Sequence, residues 1–125
     1  MGSLLWVAIG GSLGAVARYG SGQLVKALYP HTHWPIATLS VNVLGSLAIG
    51  AVFVLLERHN VHEAARLVLM VGFLGGFTTF STFSLELLLM MERGEWGLSM
   101  VYALISLMSC FAGVFLGAQF ARGLA

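Results

Sequence analysis

Four mostly apolar stretches, at about residues 4–28, 35–56, 64–91 and 96–120, take up nearly all of this 125-residue chain. Crossing the hydrocarbon core of a bilayer takes about 20 residues of α-helix, so each stretch is long enough to span it. The connections are short: Tyr29–Trp34, Glu57–Glu63 and Glu92–Glu95. Nothing is left over for a soluble domain, so residues 1–125 are expected to form one all-α membrane domain of four transmembrane helices. Composition agrees, with 58% hydrophobic and only 9% charged residues, against roughly 25% charged in a soluble protein. The first stretch is too long, and too poor in a cleavage site, for a removable signal peptide. Trp6, Trp34 and Trp96 fall near segment ends, where amphipathic rings settle among headgroups. Pro35 suits a first helical turn, where its missing N–H costs nothing.

Charge gives little direction to insertion. With four spans both termini lie on one side, beside the second connection, and Arg58, Arg66 and Arg122 belong there. The opposite side has Arg18, Lys26 and Arg93. Three cations against three leave the positive-inside rule almost no force. Such a chain can insert either way up, which opens the way to a dimer of oppositely oriented copies. One pair of small residues four apart occurs in each segment: Gly10/Gly14, Ser46/Gly50, Gly72/Gly76 and Gly113/Gly117. That spacing lets helix backbones approach closely in lipid.

Enzymatic constellations are thin, and the chain is not expected to be an enzyme. There is no aspartate, and four of the five glutamates lie at segment ends. The pairs His31/His33 and His59/His62 lie in connections, without helical support or a cysteine partner, and read as headgroup-level polarity. Gly10-Gly11-Ser12-Leu13-Gly14 looks faintly like a dinucleotide loop but follows no strand, so helix packing explains it better. Cys110 is the only cysteine, which rules out an internal disulfide.

Polar groups inside the spans are costly unless paired or functional. Thr38 and Asn42 are one turn apart on the second segment. Asn42 can serve as a helix–helix hydrogen bond, or its amide can donate to an anion without a full charge. The third segment carries Gly72-Phe73-Leu74-Gly75-Gly76-Phe77-Thr78-Thr79-Phe80-Ser81-Thr82-Phe83. Gly75-Gly76 is expected to weaken the helix near its middle, with nearby hydroxyls satisfying freed backbone groups. Exposed carbonyls in such a turn can coordinate a small cation such as Na⁺. Phe80 and Phe83 share a face if the helix resumes, and ring edges carry partial positive charge toward an anion. Glu86, just beyond, needs a partner or water, and Arg18 poses the same problem with opposite sign. Tyr102, Ser106 and Cys110 recur every four residues on the fourth segment, a donor stripe that fits packing and conduction alike.

Three groups of residues together resemble the small fluoride channels of the Fluc/CrcB family over essentially the whole chain. They are Gly10-Gly11-xx-Gly14-Ala15-xx-Arg18-Tyr19, Thr38-xxx-Asn42-xx-Gly45-Ser46 and Gly72-Phe73-xx-Gly76-Phe77-Thr78-Thr79-Phe80-Ser81-Thr82-Phe83-xx-Glu86. The resemblance implies an antiparallel, dual-topology homodimer in the bacterial inner membrane, with two fluoride pathways lined by both subunits. It implies an aromatic box at Phe80 and Phe83 and a pore-lining amide at Asn42. Carbonyls of Gly75 and Thr78 would hold one structural Na⁺ between subunits. Thr38, Ser81, Thr82 and Glu86 match polar positions along the path, and Tyr102 and Ser106 fit the polar track of the fourth helix. Cys110 departs from the hydroxyl expected one turn further on. The implied role is passive export of fluoride that entered as HF, and no ATP-binding motif suggests otherwise.

Two other readings compete. A small dual-topology multidrug or cation transporter would need a membrane-embedded acid in its first helix, where this chain has Arg18 and no acid. A non-transporting assembly protein would not require the Thr–Phe–Ser–Thr–Phe cluster.

Overall fold

A computed structural model describes residues 1–124, and no strand occurs among them. Helix α1 is Gly2–Leu28 and α2 is Ile36–Arg58. Helix α3 occupies residues 63–77, starting as Glu63–Arg66, widening into a π-helix over Leu67–Leu74 and tightening again at Gly75–Phe77. After a break at Thr78 and Thr79 the chain resumes as α4, Phe80–Glu92, and ends with α5, Trp96–Gly123. Helix α1 begins at Gly2, before the first expected segment, and α5 runs on to Gly123, past the last. Pro35 differs slightly: it precedes the first helical residue, and its carbonyl accepts the opening bond from the Leu39 amide at 3.1 Å.

Three helical runs are both long and apolar enough to cross a membrane: Ile36–Arg58, Glu63–Glu92 and Trp96–Gly123. Helix α1 has the length, 27 residues, but its glycines, Arg18, Gln23 and Lys26 dilute its apolarity. The outer surface matches a lipid environment. Leu4, Val16, Met108 and Phe111 are 75%, 69%, 72% and 79% exposed, large apolar side chains turned outward on the first and last helices, as lipid rather than water accommodates.

Two seams of glycine hold the bundle. Gly10 lies directly against the Val68 carbonyl and Gly72, and Gly14 against the Phe73 carbonyl. A Cβ on Gly76 would stand 2.7 Å from the Gly11 carbonyl oxygen. In the second seam Gly50 meets the Val114 carbonyl, and Gly117 meets that of Leu47. The expected small-residue pairs therefore do the same job in both places, setting backbone on backbone. Residue numbers rise together along each seam, so α1 runs parallel to α3 and α2 parallel to α5. Spans adjacent in sequence then run in opposite directions, α3 and α4 together forming one span. Helix α4 packs on α5 through Phe83, Met90 and Tyr102, flanked by Leu39, Leu87, Leu98 and Ala103.

The seams also correct the expected position of the break. Gly75 and Gly76 remain helical, because the space left by Gly76 is filled by α1 backbone and does not free the chain to unwind. The interruption comes two residues later, at threonines.

Gly117→Val should therefore lose about 1–3 kcal/mol or more, because the neighbour it meets is backbone that cannot rotate away. Gly97→Ala, with nothing within 4 Å of the new carbon, should leave stability unchanged or slightly raised. Reversible unfolding of both variants in mixed micelles checks the contrast.

Candidate functional site

The break is built from hydroxyls and one amide. Thr78 closes α3: its N–H and its Oγ1 both donate to the Leu74 carbonyl, at 3.1 and 2.9 Å. Its backbone then turns extended, with φ −86° and ψ 159°, and Thr79 follows with φ −150° and ψ 124°. Thr79 starts α4 as a capping residue, its Oγ1 accepting from the Thr82 amide at 3.2 Å. Threonine suits this position because a side-chain oxygen replaces a missing helical carbonyl.

Extended backbone in the middle of a bundle needs partners, and Asn42 supplies both. Its Oδ1 accepts from the Thr79 N–H at 2.8 Å, and its Nδ2 donates to the Thr79 carbonyl at 3.0 Å. A carboxamide carries one acceptor and two donors, so it pairs with Thr79 as a neighbouring strand would. Gly45, on the same helix as Asn42, makes room for the Thr78 methyl.

This arrangement leaves specific carbonyls without helical donors. In an unbroken α-helix Gly75 would accept from the Thr79 amide and Thr78 from the Thr82 amide. The first amide is held by Asn42 and the second by the Thr79 hydroxyl. Helix α3 therefore ends with its negative dipole end at the break, and α4 begins there with its positive end.

A groove of about 380 Å³ opens beside the break, lined by Asn42, Gly75, Thr78, Phe80, Phe83, Ser106 and Cys110 among others. No charged side chain lines it. The Phe80 and Phe83 ring centroids are 5.4 Å apart with planes at 54°. Phe83 is buried against Tyr102, edge to face at 5.2 Å, whereas Phe80 is 73% exposed on the single chain. Ser106 Oγ is buried and has no partner among the described residues.

On the other side of the break lies a polar vestibule of about 400 Å³, walled by Arg18, Gln23 and Lys26 of α1 with Thr38, Thr82 and Glu86. Thr79 lines both spaces. The Glu86 carboxylate accepts from Thr38 Oγ1 at 3.0 Å and from the Tyr102 hydroxyl at 3.1 Å. Those two contacts are the partners that its depth demands.

The sequence-derived candidates thus divide into two sets. Asn42, Gly75, Thr78, Phe80, Phe83 and Ser106 share the groove, while Thr38, Thr82 and Glu86 share the vestibule. Tyr102 joins the second set through Glu86. Ser81 lines neither space, its hydroxyl standing 3.3 Å from that of Thr79. The expected Tyr102–Ser106–Cys110 stripe splits, its first member turned to Glu86 and the other two to the groove. Sequence reasoning missed Arg18 and Lys26 as vestibule walls, although Arg18, Gly22 and Lys26 at four-residue intervals mark one helical face. It also missed the second hydrogen bond of Asn42, which becomes visible only once the break has a location.

Asn42→Ala should leave the Thr79 amide unpaired at a cost of about 1–3 kcal/mol. Hydrogen exchange at that amide should then accelerate roughly 5- to 150-fold, with Ser106→Ala as the unaffected control. Equal exchange in both variants would remove the clamp from the account.

Comparison with known proteins is consistent along the chain. The model of the CrcB-like, camphor resistance (CrcB) family matches residues 5–118. A fluoride-specific ion channel FluC from Novosphingobium aromaticivorans is 45% identical over 126 aligned residues, covering 100% of both chains. A FluC from Magnetococcus marinus is 46% identical over 91% of this chain and 93% of its own. One from Deinococcus radiodurans is 44% identical over 92% and 94%. The glycine seams, the broken third span and the polar face of α2 all lie within the matched residues, and the chain belongs to the CrcB family.

Proposed function

We propose that this chain forms a fluoride-selective passive channel that exports fluoride from the bacterial cytoplasm across the inner membrane. The observation that carries the reading is the clamped break: a helix interrupted in the apolar bundle, beside two phenylalanine rings and neutral donors only. Fluoride is small and holds its water tightly. A selective path must replace that water with short, closely spaced donors, yet release the ion. A ring of fixed cations, the usual device of anion pores, would hold it too firmly. Here the cations Arg18 and Lys26 stand in the vestibule, where they attract anions without trapping them at the narrow point. The pathway comprises Thr38, Asn42, Phe80, Phe83, Thr82, Glu86, Tyr102 and Ser106, with Ser81 reaching it only through its hydroxyl contact to Thr79.

The working unit is an antiparallel homodimer of dual topology. The high exposure of Phe80 on one chain supports this, since an inverted copy would cover that ring and complete the aromatic lining. The balanced charge count supports it as well, because neither orientation is favoured. Na⁺ is the structural ion between the copies, held by carbonyls of Gly75 and Thr78. Both carbonyls lack their helical donors, and a half-helix C-terminus favours a cation. The small multidrug transporter alternative gains nothing from the geometry, since α1 brings no acid to the site.

Purified protein in fluoride-loaded liposomes tests the function, with efflux followed by a fluoride electrode and chloride as control. Fast fluoride loss without chloride loss is expected. No efflux, or matching chloride efflux, would overturn the proposal. Phe80→Ile and Asn42→Ala should each cut flux about tenfold or more while the dimer persists; a single lost polar contact of about 1.4 kcal/mol at the barrier is already tenfold. Replacing internal and external Na⁺ with a large organic cation should reduce flux in the wild-type protein. Undiminished flux after exhaustive Na⁺ removal would separate the cation from function.

A further inference from the structure

A second groove lies on the other side of α2. Its volume is about 780 Å³, and its walls are Leu44, Leu47 and Leu116 with Phe120, over a floor that includes Ala48, Ala51 and Gly117. At 100° per residue, Leu44, Ala48 and Ala51 fall within about 60° of arc, whereas Asn42 and Ile49 of the first groove lie some 140–160° from Leu44. This groove therefore faces away from the break and the aromatic pair. Small residues in the floor and long ones at the rim make an apolar trough, with Gln119 its one polar side chain.

The same stripe ends in a cation. Arg58 follows Ala51 at the seven-residue interval that separates Ala51 from Leu44, so it continues the line of the groove to the helix end. Its Nη1 reaches across to the Ala121 carbonyl of α5 at 3.5 Å, which sets the guanidinium over the α2–α5 seam. Arg122 is the next residue on α5. Glu57, the nearest acid in sequence, is taken by Arg66 at 2.8 Å, and neither Arg58 nor Arg122 has an ion-pair partner among the described residues. Fourteen residues from Leu44 to Arg58 span about 21 Å of helix, comparable to one leaflet's acyl chain with its headgroup.

We propose that this groove binds one anionic phospholipid, its acyl chain in the Leu44–Ala51–Phe120 trough and its phosphate on Arg58 and Arg122. Charge decides the occupant: a zwitterionic lipid fills the trough equally well, but its own ammonium offsets its phosphate, so it gains less from two arginines without ion-pair partners among the described residues. Each cation near a membrane surface is worth about 1 kcal/mol toward an anionic headgroup, so two predict a preference of roughly thirtyfold.

The test is native mass spectrometry of the full-length protein in detergent, titrated with phosphatidylglycerol and with phosphatidylcholine of identical chains. Wild type should retain the anionic lipid at least tenfold more tightly. Arg58→Gln with Arg122→Gln should bring the two lipids level while leaving a bound adduct. Ala48→Leu should fill the floor and weaken both. Equal binding by wild type, a preference that survives loss of both arginines, or unchanged binding in Ala48→Leu would each overturn the site. So would efficient disulfide cross-linking of Ala48→Cys in a Cys110→Ser background, which would make a second copy the occupant.

Discussion

A peptide bond left open in hydrocarbon costs several kcal/mol, and for that reason interrupted helices are rare at membrane depth. In this chain the cost falls on Thr79, and one side chain meets it. Asn42 takes the Thr79 N–H and gives to the Thr79 carbonyl, so the break is held open by a neighbour on another helix. Everything chemically distinctive follows from that pair. Because the Thr79 amide is spent on Asn42, the Gly75 carbonyl has no helical donor. Because the Thr79 hydroxyl caps α4, the Thr78 carbonyl has none either. The clamp and the cap together leave a patch of free carbonyls and the fresh helix start that carries Phe80 and Phe83.

Charge is graded around this point. The side chains lining the groove are neutral, the vestibule next to it is lined by Arg18, Lys26 and Glu86, and the two ion pairs among the described residues, Arg66 with Glu57 and Arg93 with Glu95, sit at helix ends. Fixed charge in a low-dielectric interior acts strongly over a distance, so keeping it one layer back lets it bias ion entry without creating a deep well. Glu86 is kept in place by Thr38 and Tyr102, two residues from different helices that lock α2 and α5 onto α4.

Much of this was legible before any coordinates. Segment lengths, the small-residue pairs and the spacing of Phe80 and Phe83 follow from helical periodicity, which a linear sequence records directly. The position of the break did not follow. Glycine pairs suggest flexibility, yet Gly76 is fixed by the backbone of α1, and that contact joins residues more than sixty positions apart. The π-helical stretch at Leu67–Leu74 escaped for a similar reason, since no residue type marks it. The dual use of Asn42 was half visible: its chemistry is in the sequence, its target is not. Arg18 looked like an unsolved cost in a span and turned out to face a vestibule, because which face of α1 is open depends on where α3 lies.

The pairing of α1 with α3 and of α2 with α5 has a bearing on how the chain is made. The first two helices each dock on one synthesised two segments later. At about 5–20 residues per second, Gly72 is polymerised roughly 3–12 seconds after Gly10. For that interval the glycine face of the first segment is bare, and it is also the segment least able to dissolve in lipid unaided. A nascent chain stopped before residue 72 would lack the backbone on which the glycine face of its opening helix closes.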